Sequence, residues 1–194
     1  VSTLEPSVKG IVFLSAVDRL RELMDKGEVQ REDVTRVLEP DDVACLETRV
    51  MPTLWYPVGV GGRYVEALWE LEGGRRTEYL RQRGATAAGR IFEAGIYANV
   101  MKTAEDWGGA QLGHTLIGFA AQFYNFMRWE LVGCIHSAEY EIDVRDATAW
   151  PDVLRLASEG FIEVLHSRAS KRPLAVASQR PSPDRVVFRI ATSR

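Results

Sequence analysis

Between Leu112 and Trp129 the chain carries more apolar surface than one side of a helix can bury. Leu112, Leu116, Phe119, Phe123 and Phe126 recur at helical spacing, and Ile117, Ala120, Tyr124 and Met127 widen the stripe. A helix apolar over so much of its circumference must pack on more than one side. It is either the central core helix or one wall of an apolar cavity. His114, Gln122 and Asn125 interrupt the run, which leaves it too polar for the roughly 20 apolar residues of a membrane span. The rest of the chain has to provide the layers that cover it.

Helical periodicity dominates the sequence before this stretch. Val17, Leu20, Leu23 and Met24 share one face, and Gly27 ends the run. Pro40-Asp41-Asp42 opens a segment with Val43, Leu46 and Val50 as its apolar side, closed by Pro52. Trp55-Tyr56-Pro57 with Gly59, Gly61 and Gly62 reads as a connector. Tyr64, Val65, Leu68, Trp69 and Leu71 form an amphipathic helix stopped by Gly73-Gly74. Residues 76–101 extend the helical pattern, with Gly84, Gly89 and Gly95 marking a break or a close backbone approach.

After residue 130 the period changes from that of a helix to that of a strand. Leu131–Ile135 and Tyr140–Val144 are short β-type runs and suggest a hairpin. Pro151 starts a helix with Val153, Leu154, Ala157, Phe161, Ile162 and Leu165 inside. Two more strands, 172–178 and 185–191, flank the turn-rich segment 179–184, and alternation places Val186, Phe188 and Ile190 on one face. The expected architecture is one α+β domain over residues 1–194: a helical body over about 10–129, then β-β-α-β-β over about 130–194 packing it on a twisted antiparallel sheet.

Composition excludes several classes. The 194 residues are 46% hydrophobic and 26% charged, with a net charge of −3, which argues against disorder and gives no global reason to expect nucleic acid. Two cysteines, Cys45 and Cys134, cannot form a disulfide framework or a cysteine-rich zinc module, and they suit a reducing cytoplasm. The start of the sequence lacks a basic segment followed by an apolar one, so no signal peptide is expected. Residues 164–194 hold seven basic side chains against Asp184 alone. Such a strip could meet an acidic partner or lipid headgroups, or be a solvated face balanced by acidic neighbours.

Tyr140-Glu-Ile-Asp-Val144, the helix that contains Gly160-Phe-Ile-Glu-Val-Leu165, and Arg185-Val-Val-Phe-Arg-Ile190 resemble the end of the vinyl-reductase, or hydrocarbon-binding, domain. They equally resemble its relatives, the haem–nitric-oxide-binding domains and the TRAPP trafficking subunits. Val8–Ser15 and Met51–Pro57 look more specifically like an uncharacterised bacterial family proposed to share that fold. The resemblance implies a helical body on a twisted sheet, often dimeric, with an apolar pocket that relatives use for haem, hydrocarbons, aromatic effectors or a fatty acyl chain. Fold analogy alone does not assign a function.

The residues bear on each of these chemistries in turn. Haem needs an axial ligand; His114 is the candidate, the Tyr-x-Ser-x-Arg motif of the haem-binding relatives is missing, and no cofactor is expected. Cys134 and His136, two apart on a strand, share a face and are the candidate metal ligands, but a zinc site needs three or four. No Gly-x-Ser-x-Gly, P-loop or activated cysteine appears, so no enzyme is expected. Cys45 lies off the apolar face of its helix and does not align with the acylated cysteine of TRAPP subunits. The expected pocket lining is Leu116, Phe119, Phe123 and Met127 from the long apolar helix, with Phe161 and Leu165 from the later one. The reading is a non-catalytic cytoplasmic module that binds a small apolar or fatty-acyl ligand, or a protein partner, as a sensor or assembly unit, with a homodimer expected. The alternatives are a structural subunit whose pocket its own aromatics fill, or a haem or metal sensor or small enzyme built on His114 or on Cys134 and His136.

Overall fold

The computed structural model describes residues 5–93, 109–133, 140–170 and 173–192. A short strand β1 (Ser7–Lys9) leads into α1 (Gly10–Asp25), followed by α2 (Arg31–Thr35), α3 (Pro40–Glu47), β2 (Trp55–Pro57), α4 (Val58–Leu71), α5 (Thr77–Glu93) and α6 (Gly109–Phe123). The last part runs β3 (Arg128–Val132), β4 (Tyr140–Arg145), a 3-10 turn at Ala147–Ala149, α7 (Asp152–Ser170), β5 (Leu174–Ser182) and β6 (Arg185–Thr192). Among the described residues no helix is long and apolar enough to cross a membrane.

The β-β-α-β-β end follows from its periodicity. Its four strands form one antiparallel sheet in the order β3-β4-β6-β5. Ile142 and Val144 of β4 register with Phe188 and Val186 of β6, and all four are fully buried under the helices. The turn between β5 and β6 is tighter than 179–184, because β5 continues through a bulge to Ser182. Three of the strip's seven basic side chains pair with acidic ones: Arg185 with Asp143 and Arg189 with Glu141 on the sheet, and Arg180 with Asp152 at the start of α7. Those three belong to a balanced face; Lys171, Arg172 and Arg194 lie outside the described residues.

Two local expectations give way to tertiary contacts. Residues 55–62 are no connector. Trp55–Pro57 pairs with Ser7–Lys9 as a second, two-stranded sheet, and Gly59, Gly61 and Gly62 lie inside α4. A Cβ at Gly62 would come within 2.6 Å of the Pro151 ring, so the glycine is needed where α4 meets the start of α7. The long apolar helix also ends early, at Phe123. Tyr124 leaves it to bridge Val8, while Asn125 takes the Ser7 amide on its side-chain oxygen at 2.7 Å. Phe126 and Met127 therefore lie beyond the helix, and Trp129 sits on β3. Val50 likewise lies past the end of α3, where Thr48 is already extended.

The tightest helix contact is between α5 and α7. An added Cβ on Gly84 would stand 1.7 Å from the Ala157 carbonyl oxygen, and one on Gly160 would stand 1.9 Å from the Arg81 carbonyl oxygen. The two glycines thus let each backbone lie directly on the other. Arg81 locks the crossing by reaching Glu159 and Glu163 on α7 at 2.7 Å each and the Val176 carbonyl of β5 at 3.0 Å. Buried Glu159 in turn accepts the Ser178 amide at 2.8 Å and the Ser178 hydroxyl.

Candidate functional site

Small side chains where α5, α6 and α7 meet leave space that the neighbouring aromatics do not fill. Gly84 and Ala87 on α5, Ala120 on α6 and Ala157 on α7 face Phe119, Phe123 and Phe161 around an apolar cavity of about 80 Å3. Val12, Ser15 and Ala16 of α1, Val65 and Leu68 of α4, and Trp129 of β3 complete the wall with residues of α7. By the same measure an engineered apolar cavity of roughly 150 Å3 takes a benzene ring, so this one suits a small occupant or one that parts the helices slightly.

Four of the six expected lining residues are on the wall: Leu116, Phe119, Phe123 and Phe161. Met127 and Leu165 are not; both are buried in the general core, Met127 because the chain has already left the helix at Tyr124. His114 is exposed on α6, while its neighbour Gly113 is buried, so the histidine does not face the cavity. Cys134 and His136 lie outside the described residues. Among the described residues no group of three or more histidine, cysteine or acidic side chains could hold a metal ion. Cys45 is off the cavity wall, and burial pushes its thiol above the ordinary value.

The polar wall is sparse. Arg83 of α5 lines the cavity and donates from Nη2 to the Ser15 carbonyl at 2.7 Å. Burial pulls its guanidinium below the usual range, against the fields of Tyr79 and Glu72. Ser158 returns its hydroxyl to the Leu154 carbonyl at 2.8 Å. Tyr124 also lines the space, and burial pushes its phenol up to about 12. Trp129 joins the wall to an aromatic cluster under the sheet, with its ring 5.4 Å from Trp150 and stacked 5.8 Å from Phe188. Its indole Nε1 is buried with no hydrogen-bond partner among the described residues.

Periodicity put Val65 and Leu68 on the amphipathic face of α4 but did not single out Val12, Ser15 or Ala16 of α1, and it gave no sign that Arg83 would reach the cavity. A buried histidine also went unnoticed. His166 on α7 is 1% exposed, with the Tyr140 hydroxyl 3.3 Å from Nδ1 and nearer to Nε2. Burial pulls its pKa down to about 4, which keeps the ring neutral.

No family model matches the sequence, and no curated protein matches it. Solved structures do. An Fe(II), unliganded H-NOX protein variant from K. algicida superposes with a TM-score of 0.65 at 13% identity, covering 96% of this chain and 97% of that one. A T. tengcongensis H-NOX variant gives 0.58 at 16% identity over 96% and 98%, and a Tt H-NOX double variant gives 0.56 at 15% over 96% and 95%. The chain has an H-NOX-like fold. Of the folds of the related groups that the sequence resembles, it is that of the haem–nitric-oxide-binding domains that these structures match.

This finding corrects the expectation that no cofactor takes part. The neighbours that share its fold are H-NOX proteins, one of them in an Fe(II) state, so the absence of a cofactor no longer stands as the expectation. At 13–16% identity the fold is kept where a single motif and a single histidine no longer report it. The described residues meet the needs of haem in part. They offer apolar walls and a guanidinium at the cavity. They place no histidine, cysteine or methionine on the wall, and Tyr124 holds its proton. The volume also falls short of the roughly 300–1,000 Å3 of ordinary ligand pockets. The described residues therefore do not by themselves make a haem site.

Proposed function

We propose that this chain is a ligand-binding, sensor-type domain that holds its ligand in the cavity between α5, α6 and α7 and carries out no catalysis. The observation that carries the reading is the cavity itself: apolar walls, a few polar groups and contributions from five helices and a strand. A ligand there touches α5 and α7 at their backbone contact, and through Trp129 it touches the aromatic cluster under the sheet. Occupancy can thus shift how the helical body sits on the sheet, which is what a sensor needs. The H-NOX-like fold makes haem the group to test first, and the size of the cavity makes a small apolar molecule the second.

Denaturing extraction with mass spectrometry of the purified chain, together with haemin titration followed in the Soret region, tests this directly. The expected result is either a stoichiometric small molecule in the extract or a saturable Soret band. An empty extract and no saturable band would contradict the reading.

A further inference from the structure

Among the described residues, two donors on the cavity wall, the Arg83 guanidinium and Trp129 Nε1, have no side-chain acceptor. Among the described residues, no acidic side chain lines the cavity and no carboxylate pairs with Arg83, whose hydrogen bond goes to a backbone carbonyl. The acidic group whose field reaches it, Glu72, is engaged elsewhere, by the Arg19 guanidinium at 2.9 Å and by the Tyr79 hydroxyl. Other partly buried arginines of this chain have carboxylate partners inside it: Arg81 has Glu159 and Glu163, and Arg63 has Asp42. A guanidinium against apolar walls costs free energy unless an anion answers it. Trp129 Nε1 is a second buried donor on the same wall, with nothing among the described residues to accept from it.

We infer that the cavity takes a small organic acid, its apolar body among Phe119, Phe123 and Phe161 and its carboxylate on Arg83. The planar guanidinium fork matches a carboxylate, and exclusion of water strengthens the pair. The size of the cavity selects a short aliphatic acid over a long fatty chain. The inference rests on the reading of the cavity as a ligand site and names the class of its ligand.

Calorimetric titration with hexanoate and with hexan-1-ol, which share a chain and differ in the headgroup, tests it on the chain as it stands. The acid is expected to bind about tenfold tighter or more, the value of one charge-assisted hydrogen bond. Arg83→Gln keeps a donor for the Ser15 carbonyl and removes the charge. In that variant the acid-to-alcohol ratio is expected to fall to about one with the alcohol's affinity nearly unchanged, while Arg83→Lys retains part of the preference. Equal affinities in the unmodified chain, or a preference that survives Arg83→Gln, would overturn the acid assignment and leave a ligand cavity standing. Binding of neither compound, with no haem taken up, would overturn both. The comparison within the unmodified chain keeps the inference falsifiable should a variant fail to fold.

Discussion

Changing Gly84 to Ala and Gly118 to Ala should move stability in opposite directions, although both are glycines inside helices. At Gly118 an added Cβ meets nothing within 4 Å and the position is exposed. Alanine there gains only the helix-propensity difference, about 0.5–1 kcal/mol. At Gly84 the same atom lands 1.7 Å from the Ala157 carbonyl oxygen and 2.6 Å from its carbon. Ordinary contact begins near about 3.5 Å, so α5 and α7 must part by more than about 1.5 Å. The obstacle is backbone and cannot rotate away, which puts the cost at the upper end of overpacking, about 3 kcal/mol. Offset by the propensity gain, Gly84→Ala should be destabilised by about 2 kcal/mol or more, and the two variants should differ by about 3 kcal/mol. Urea unfolding followed by circular dichroism measures both, with midpoints compared at constant slope. A Gly84→Ala chain as stable as the unmodified one would refute the backbone-on-backbone crossing.

Two further outcomes follow from buried polar groups. His166 is neutral when folded, and its folded pKa of about 4 lies below the unfolded value near 6.5. Its contribution is therefore fully present above about pH 6.5 and is lost as pH falls toward 4, to a total of about 3 kcal/mol. His166→Gln should flatten the stability-versus-pH curve across that window, and an unchanged slope would count against the buried neutral ring. Glu159→Ala removes the acceptor that Ser178 and Arg81 share between α7, α5 and β5. It should cost about 2–3 kcal/mol in thermal unfolding, since the lost bonds involve a buried charge; a loss below about 0.5 kcal/mol, the level of an ordinary surface change, would show that the network does not hold the crossing.

The sheet and its helix were legible because their signals are local. Val186, Phe188 and Ile190 alternate, and the Gly160 helix carries its apolar face within a few turns. What stayed hidden depends on partners far along the chain. Strands of three residues, such as Ser7–Lys9 and Trp55–Pro57, are too short to show a period, and only their pairing makes them strands. The end of α6 at Phe123 is set by Val8 and Ser7, more than a hundred residues away. Gly84 marked a break or a close approach without saying which helix approached, and Gly160 stood out only as part of the family-like helix. On the cavity, the aromatic stripe of α6 was readable, whereas Arg83 was not. An arginine in a helix ordinarily finds a carboxylate, and only the folded arrangement shows that Glu72 is committed to Arg19 and Tyr79. The cofactor expectation went astray for the same reason, since the likeness to H-NOX proteins lies in the fold at 13–16% identity.

The central claim is that the space between Phe119, Phe161 and Gly84 admits a ligand. Diffraction from crystals held under xenon tests it most directly, because xenon enters apolar cavities without needing a specific partner. The account predicts a xenon peak among Phe119, Ala120, Ala157 and Phe161. Well-ordered side chains there with no xenon peak would contradict it.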